Sequence, residues 1–271
     1  MRLLLTRRPA QAGDLEAGLR ATDGPDGVPF EVGFLPATDT LLPDDGLAHL
    51  REAVAALGAG EYAVLVVTSP NGARALAAAG WDGGLPPGVR VAATGPGTVR
   101  VLREAGMVGG VWVPEADRSA AGILAGLPGP ARAGERLLLP QSARASDDLA
   151  AGLRERGWAV DRVEAYRTVA YPGDPALRLL PEDPPGADVV TPAELGRQPA
   201  GTVLVPTSPS AVDELLGTPA ADALLSGAVP CVALGAPTRR AMEAAGVPVA
   251  AQATTPDAAG VAEAVRRATA G

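Results

Sequence analysis

The chain contains no lysine; all 23 of its basic residues are arginine. This excludes Schiff-base chemistry on a lysine amine, a pyridoxal-phosphate anchor and a Walker-type phosphate lysine. A single cysteine, Cys231, leaves no internal disulfide and no multi-cysteine metal site. A single histidine, His49, excludes a zinc centre built from several histidines. Cys231 heads an apolar strand and reads as core; His49 sits in a polar helix start and reads as surface. Neither has a sequence partner for nucleophilic or metal chemistry. No apolar run approaches the roughly 20 residues of a membrane span. The opening Met1-Arg2-Leu3-Leu4-Leu5-Thr6-Arg7-Arg8 does not read as a signal peptide. The formal charge of −8 argues against nucleic acid or an anionic membrane as partner. A cytoplasmic protein is expected.

What is present is repetition. Val64-Leu65-Val66-Val67-Thr68-Ser69-Pro70 returns as Val203-Leu204-Val205-Pro206-Thr207-Ser208-Pro209. VAATGPGTVRVLREAG from Val91 is answered by VALGAPTRRAMEAAG from Val232. LLLTRRPAQAGDLEAGLR from Leu3 is answered by LLLPQSARASDDLAAGLR from Leu137, and Ala120-Ala121-Gly122-Ile123 by Ala258-Ala259-Gly260-Val261. The period, about 134 to 140 residues, is far too long for a solenoid. It predicts a duplicated α/β unit, and two similar domains suit one large ligand gripped between them.

Within the first repeat, short apolar strands alternate with amphipathic helices. Strands are expected at Leu3–Leu5, Phe30–Leu35, Ala63–Val67, Arg90–Ala93 and Val111–Val113. Helices are expected at Ala10–Ala21, Ala48–Leu57, Ser69–Ala79, Gly97–Ala105 and Ala120–Ala125. The second repeat follows the same order. Such alternation makes a parallel sheet covered by helices on both faces, with ligand sites at the carboxyl ends of the strands. Two cuts are open. Leu127-Pro128-Gly129-Pro130 would separate two contiguous domains. Crossings near Pro36-Ala37-Thr38 and Tyr171-Pro172-Gly173 would instead insert one domain into the other.

Thr68-Ser69-Pro70-Asn71 and Thr207-Ser208-Pro209-Ser210 each sit at a strand-to-helix junction. Serine there caps the helix, and proline in the first turn has no N–H to leave unpaired. The same N–H groups and hydroxyls can bind an anion, helped by the helix dipole. Gly95-Pro96-Gly97-Thr98 occupies the next such junction, and Thr98 shares its place with Thr238. Tyr166 lies in Val163-Glu164-Ala165-Tyr166-Arg167-Thr168, beside the second crossover. It has no tyrosine counterpart in the first repeat. It reads either as a packed core residue or as a phenol able to donate a proton.

The chain resembles the bacterial-type uroporphyrinogen-III synthase family from end to end. The matching pieces are LLLTRRP, VVTSPNGARAL, VAATGPGTVRVLREAG, LLLPQSARASDDLAAGLRERG, VEAYRTV, VLVPTSPSAVDEL and VALGAPTRRAMEAAGVPV. The resemblance implies two α/β domains joined by a two-stranded linker, residues 1–36 with 172–271 and residues 37–171, which move on a hinge and close on ligand. It implies a cofactor-free, metal-free lyase that cyclises hydroxymethylbilane to uroporphyrinogen III, with loss of water and inversion of the terminal pyrrole, and a monomer. Tyr166 matches the family's favoured proton donor, and Thr98 matches a threonine lining the cleft. A second family threonine falls on Pro237, next to Thr238. The substrate carries eight carboxylates, so an acidic protein must hold it with local donors. Those expected are Arg7, Thr68, Ser69, Asn71, Thr98, Ser142, Arg144, Thr207, Ser208, Ser210 and Thr238. The alternative is a non-enzymatic hinge protein that binds a small polyanion.

Overall fold

The computed structural model describes residues 1–269. Its strands are β1 (Arg2–Leu5), β2 (Glu31–Phe34), β3 (Thr38–Leu41), β4 (Val64–Val67), β5 (Arg90–Ala93), β6 (Val111–Trp112), β7 (Arg136–Ser142), β8 (Ala159–Ala170), β9 (Val203–Val205), β10 (Val232–Ala233) and β11 (Ala251–Gln252). Its helices are α1 (Gly13–Arg20), α2 (Ala48–Gly58), α3 (Pro70–Ala78), α4 (Pro96–Glu104), α5 (Ala120–Gly126), α6 (Asp148–Glu155), α7 (Pro209–Leu216), α8 (Ala221–Leu225), α9 (Ala236–Ala244) and α10 (Ala258–Thr269). Among the described residues no helix is long and apolar enough to cross a membrane.

The chain divides into two compact units. Unit 1 holds Met1–Asp39, Val169–Pro175 and the chain from Leu180 onward; unit 2 holds Thr40–Thr168 and Ala176–Leu179. In unit 1, β1 lies between β2 and β9, both parallel to it, with Leu3 beside Val32 and Val203. A parallel bridge from Leu204 to Cys231 brings in β10, which pairs with β11. The order is therefore β2-β1-β9-β10-β11. In unit 2 the sheet runs β3-β8-β7-β4-β5-β6, and the five strands from β8 to β6 are parallel. Leaving β3 aside, the two orders are the same when each strand is matched to its counterpart in the other repeat. Each unit takes the first two strands of one repeat and the last three of the other.

Strand pleat sends alternate residues to opposite faces, and both faces of each sheet are buried. In unit 1, Leu3 and Leu5 join Leu15, Leu19, Val261 and Val265, while Leu4 joins Val212, Leu215 and Met242. In unit 2, Leu65 and Val67 pack with Leu50, Leu57 and Leu76, and Val64 and Val66 with Ile123, Leu149 and Leu153. Each such side chain contributes about 1.5–3 kcal/mol on burial. Two sheets of parallel strands flanked by helices agree with the fold read from the sequence.

The paired glycines of the matched blocks Ala120-Ala121-Gly122-Ile123 and Ala258-Ala259-Gly260-Val261 have a steric cause. A Cβ on Gly122 would lie 1.7 Å from the Asp117 carbonyl oxygen, and one on Gly260 would lie 2.3 Å from that of Thr255. The loop before each helix crosses too close for any side chain.

Three features have no signal in the sequence. The segment Ala10–Ala21 is not one helix: a 3-10 turn at Pro9–Gln11 precedes α1, which begins at Gly13 with φ 47°. Strand β3 forms, and residues 176–179 come back to run beside it: Leu42 N–H donates to Leu177 O at 2.7 Å and Leu179 N–H to Thr40 O at 2.9 Å. Finally, Arg8 is fully buried. Its Nε donates to Asp183 Oδ2 (3.0 Å), its Nη1 to Asp39 Oδ1 (3.2 Å) and its Nη2 to the Pro181 carbonyl (3.0 Å). Asp183 also accepts from Ala10 N–H (3.0 Å) and Asp39 from Gly173 N–H (3.2 Å). One guanidinium thus ties four separated stretches of unit 1 together.

Candidate functional site

Numbered along the chain, the five parallel strands run 2-1-3-4-5 in unit 1 and 5-4-1-2-3 in unit 2; each order reverses direction at one pair of neighbours, and ligands of such folds sit at the carboxyl ends of those two strands. In unit 1 they are β1 and β9; in unit 2 they are β7 and β4. Most of the candidate residues read from the sequence fall at these two places.

In unit 1, Thr6 follows β1 and Thr207 follows β9. Thr6 Oγ1 accepts from the Thr207 N–H (2.9 Å) and lies 3.2 Å from Thr207 Oγ1. Ser208 caps α7 by accepting from the Ala211 N–H (3.2 Å), and its hydroxyl lies 3.1 Å from that of Ser210. Arg7 donates to the Gln11 carbonyl (3.4 Å). These form a ledge of hydroxyls at one sheet end.

In unit 2, Ser69 is the matching cap. Its backbone is extended and its Oγ accepts from Gly72 N–H at 3.0 Å, a contribution of about 1 kcal/mol to the helix. The same Oγ lies 2.9 Å from Tyr166 Oη. The cap role and a polar role therefore coincide in one hydroxyl. Asn71, on the first turn, donates from Nδ2 to Thr40 Oγ1 (3.2 Å). The Thr68 carbonyl accepts from Thr94 Oγ1 (3.0 Å). Ser142 closes β7, stands opposite Tyr166 and accepts from the Arg144 N–H (3.3 Å). Arg144 itself is exposed.

Tyr166 reaches Ser69 because β8 is irregular. Gln141 pairs with Glu164, but Ser142 pairs with Tyr166, so Ala165 is an extra residue. In a regular strand Tyr166 would share the exposed face of Glu164. The bulge re-aims it, and Ala165 and Tyr166 are both buried in the core under α3. Burial raises the phenol pKa above its usual value, and the Ser69 hydrogen bond partly offsets this. The group is a neutral proton donor throughout the physiological range.

Thr98 and Thr238 keep their shared place, each third in its helix, and each is only 3% exposed. The starts of α4 and α9 differ from those of α3 and α7: Gly95 and Gly235 offer no side-chain cap. Their first N–H groups are thus left to a partner other than a capping side chain.

A cleft of about 610 Å³ in unit 2 runs along α2 and β8, and none of the candidate residues lines it. Its walls carry Asp44, Asp45, Glu52, Asp161 and Glu164. Its two arginines are already paired, Arg136 with Glu61 and Asp161, and Arg162 with Asp147. A wall of that sign repels carboxylates, so the strand ends are the better receptor for a polyanion.

His49 is exposed, with Nδ1 2.6 Å from Asp45. Cys231 is buried, which pushes its thiol up to about 12. His49→Gln should leave turnover unchanged within twofold or so. Cys231→Ala should do the same but change the alkaline stability profile. The folded thiol titrates above its unfolded value, so its contribution is complete below pH ~8.5 and fades as pH rises toward 12. Denaturation midpoints from pH 8 to 10.5 should fall less steeply in the variant; parallel curves would contradict this.

The family model described as uroporphyrinogen-III synthase HemD matches residues 30–263. No curated protein sequence matches the chain. The fold is similar to that of a mutant uroporphyrinogen III synthase from the extremely thermophilic bacterium Thermus thermophilus, with TM-score 0.61 and 24% identity over 99% of this chain and 98% of that one. It is also similar to the synthetase from Helicobacter pylori, with TM-score 0.52 and 14% identity over 97% of each chain. A family match spanning most of the chain, on a fold shared with those structures, shows that this chain belongs to the uroporphyrinogen-III synthase family, enzymes of tetrapyrrole biosynthesis.

Proposed function

We propose that this protein cyclises hydroxymethylbilane to uroporphyrinogen III, with Tyr166 as proton donor. The observation that carries the reading is the Tyr166–Ser69 pair at a sheet switch point. Ser69 Oγ already accepts from Gly72 N–H. In this reading Ser69 donates its own proton to Tyr166 Oη, 2.9 Å away, and the phenol proton is left for substrate. Tyr166 gives that proton to the terminal hydroxyl, which departs as water. The electron-rich pyrrole supplies the electrons for that departure and becomes an azafulvene. The substituted carbon of the last ring attacks the azafulvene and a spiro intermediate forms; the bond from that carbon to its original bridging methylene then breaks, and the freed methylene rejoins at the ring's other α carbon, which loses its proton, so the macrocycle closes with that ring inverted. The proton released as the ring regains aromaticity balances the one given by Tyr166. Ser69 and the α3 start stabilise the transient phenolate.

The remaining work is positioning. Hydroxyls at Thr68, Ser142, Thr207, Ser208 and Ser210, the Asn71 amide, Arg7, Arg144 and the starts of the helices carrying Thr98 and Thr238 offer donors to carboxylates. The reaction needs neither metal nor organic cofactor.

Incubation with freshly prepared hydroxymethylbilane, followed by isomer analysis, tests the reading. The inverted isomer is expected to dominate, before and after dialysis against a strong chelator. Only the uninverted isomer, formed at the uncatalysed rate, would overturn it. Loss of activity restored by a metal would overturn the cofactor-free mechanism.

A further inference from the structure

Arg74 lies on α3, beyond the turn that carries Ser69 and Asn71, and is half-buried. Its Nη1 donates to Asn71 Oδ1 at 3.1 Å, and the other end of that amide is held by Thr40. Among the described residues no carboxylate lies within ion-pair distance of it. Glu104, on the neighbouring helix α4, is within electrostatic reach but is engaged by Arg100 at 2.8 Å. Arg100 acts on Arg74 in the opposite sense to Glu104. Burial is the main influence on Arg74 and lowers its pKa, as expected where desolvation is not matched by an opposite charge. By contrast, the half-buried Arg136, Arg162 and Arg167 of the same unit have acidic partners: Arg136 has Glu61 and Asp161, Arg162 has Asp147 and Arg167 has Asp44.

A half-buried cation without a counter-ion is a cost to the folded protein that an incoming anion removes. Its planar fork fits a carboxylate through two parallel hydrogen bonds. Asn71 fixes one edge of the guanidinium and so aims the rest.

We propose that Arg74 receives one side-chain carboxylate of the tetrapyrrole substrate, on the helix whose first residues carry Ser69 and Asn71, with Asn71 aligning it. This rests on the function proposed above.

The test is Arg74→Gln and Arg74→Lys, assayed with hydroxymethylbilane and by binding of uroporphyrinogen III. Arg74→Gln should raise KM and weaken product binding about 10- to 100-fold, with kcat within a few-fold of the parent. Its melting temperature should be unchanged or higher, because an uncompensated charge has gone. Arg74→Lys should recover part of the affinity. An active, folded Arg74→Gln enzyme with parental KM and product affinity would overturn the assignment. So would a large fall in melting temperature in both variants, which would make Arg74 a structural residue. If the parent protein itself does not cyclise the bilane, it is the functional reading that fails.

Discussion

Tyr166→Phe should lower turnover at saturating hydroxymethylbilane, with a ceiling of roughly 10²–10⁴-fold for loss of one general acid. The expected loss lies toward the lower end, because the azafulvene forms readily and water can protonate the leaving group in part. The ring stays in place, so product affinity and fold should barely change. The isomer ratio should also stay strongly on the inverted side, since it is set by how the chain is held rather than by how water leaves. Ser69→Ala should act in the same direction but less, with an added stability loss of about 1 kcal/mol from the cap. In the parent, turnover should show no alkaline limb from Tyr166 below pH ~10, because burial raises the phenol pKa above its usual value. A folded Tyr166→Phe enzyme with full turnover would make the phenol a packing residue.

Arg8→Gln should be the most destabilising single change. Arg8 is completely buried, and Asp39 beside it is equally so. Removing the cation leaves Asp39 and Asp183 without their common partner, and breaking a buried pair from one side costs about 3–5 kcal/mol. That is a large fraction of the total for an ordinary domain. Arg8→Lys should be only partly better, because one ammonium cannot span Asp39, Asp183 and the Pro181 carbonyl in the geometry of a guanidinium. Denaturant titration of the three proteins checks this; equal midpoints would show that the network contributes nothing to folding. The change touches none of the candidate donors, so any effect on turnover should follow the folded fraction.

Much of the fold was legible because the strands are buried on both faces. Leu3-Leu4-Leu5 and Val64-Leu65-Val66-Val67 are continuous apolar runs, and their repetition placed the second set. The capping serines were legible too, since Ser-Pro at a strand end has a local cause. What escaped depends on contacts far apart in sequence. Nothing near Arg8 announces Asp39 and Asp183, and its neighbour Arg7 looked equally suited to a role. The return of residues 176–179 beside β3 is set by backbone pairing, which any sequence can supply. The site was legible as positions but not as an arrangement. Tyr166 stood out by breaking the repeat; its meeting with Ser69 depends on an extra residue in β8, and a bulge leaves no mark in composition. Arg74 went unnoticed because an arginine on a helix is ordinary until its lack of a counter-ion is seen.

The exchange of strands between repeats orders events during synthesis. All six strands of the unit 2 sheet lie between Thr38 and Ala170, so that sheet can close while the rest of the chain is still being made. Unit 1 cannot. Its β1 sits between β2 and β9, and Leu3 must wait for Val203. Until then β1 and β2 have an open edge of leucine and valine, with half their core absent. Pairing over such a separation is slow, and exposed strand edges of this kind invite aggregation. A ribosome-bound chain that stalls before residue 203 would therefore carry a finished domain behind a sticky, unfinished amino terminus, which makes that terminus the stretch most in need of a chaperone.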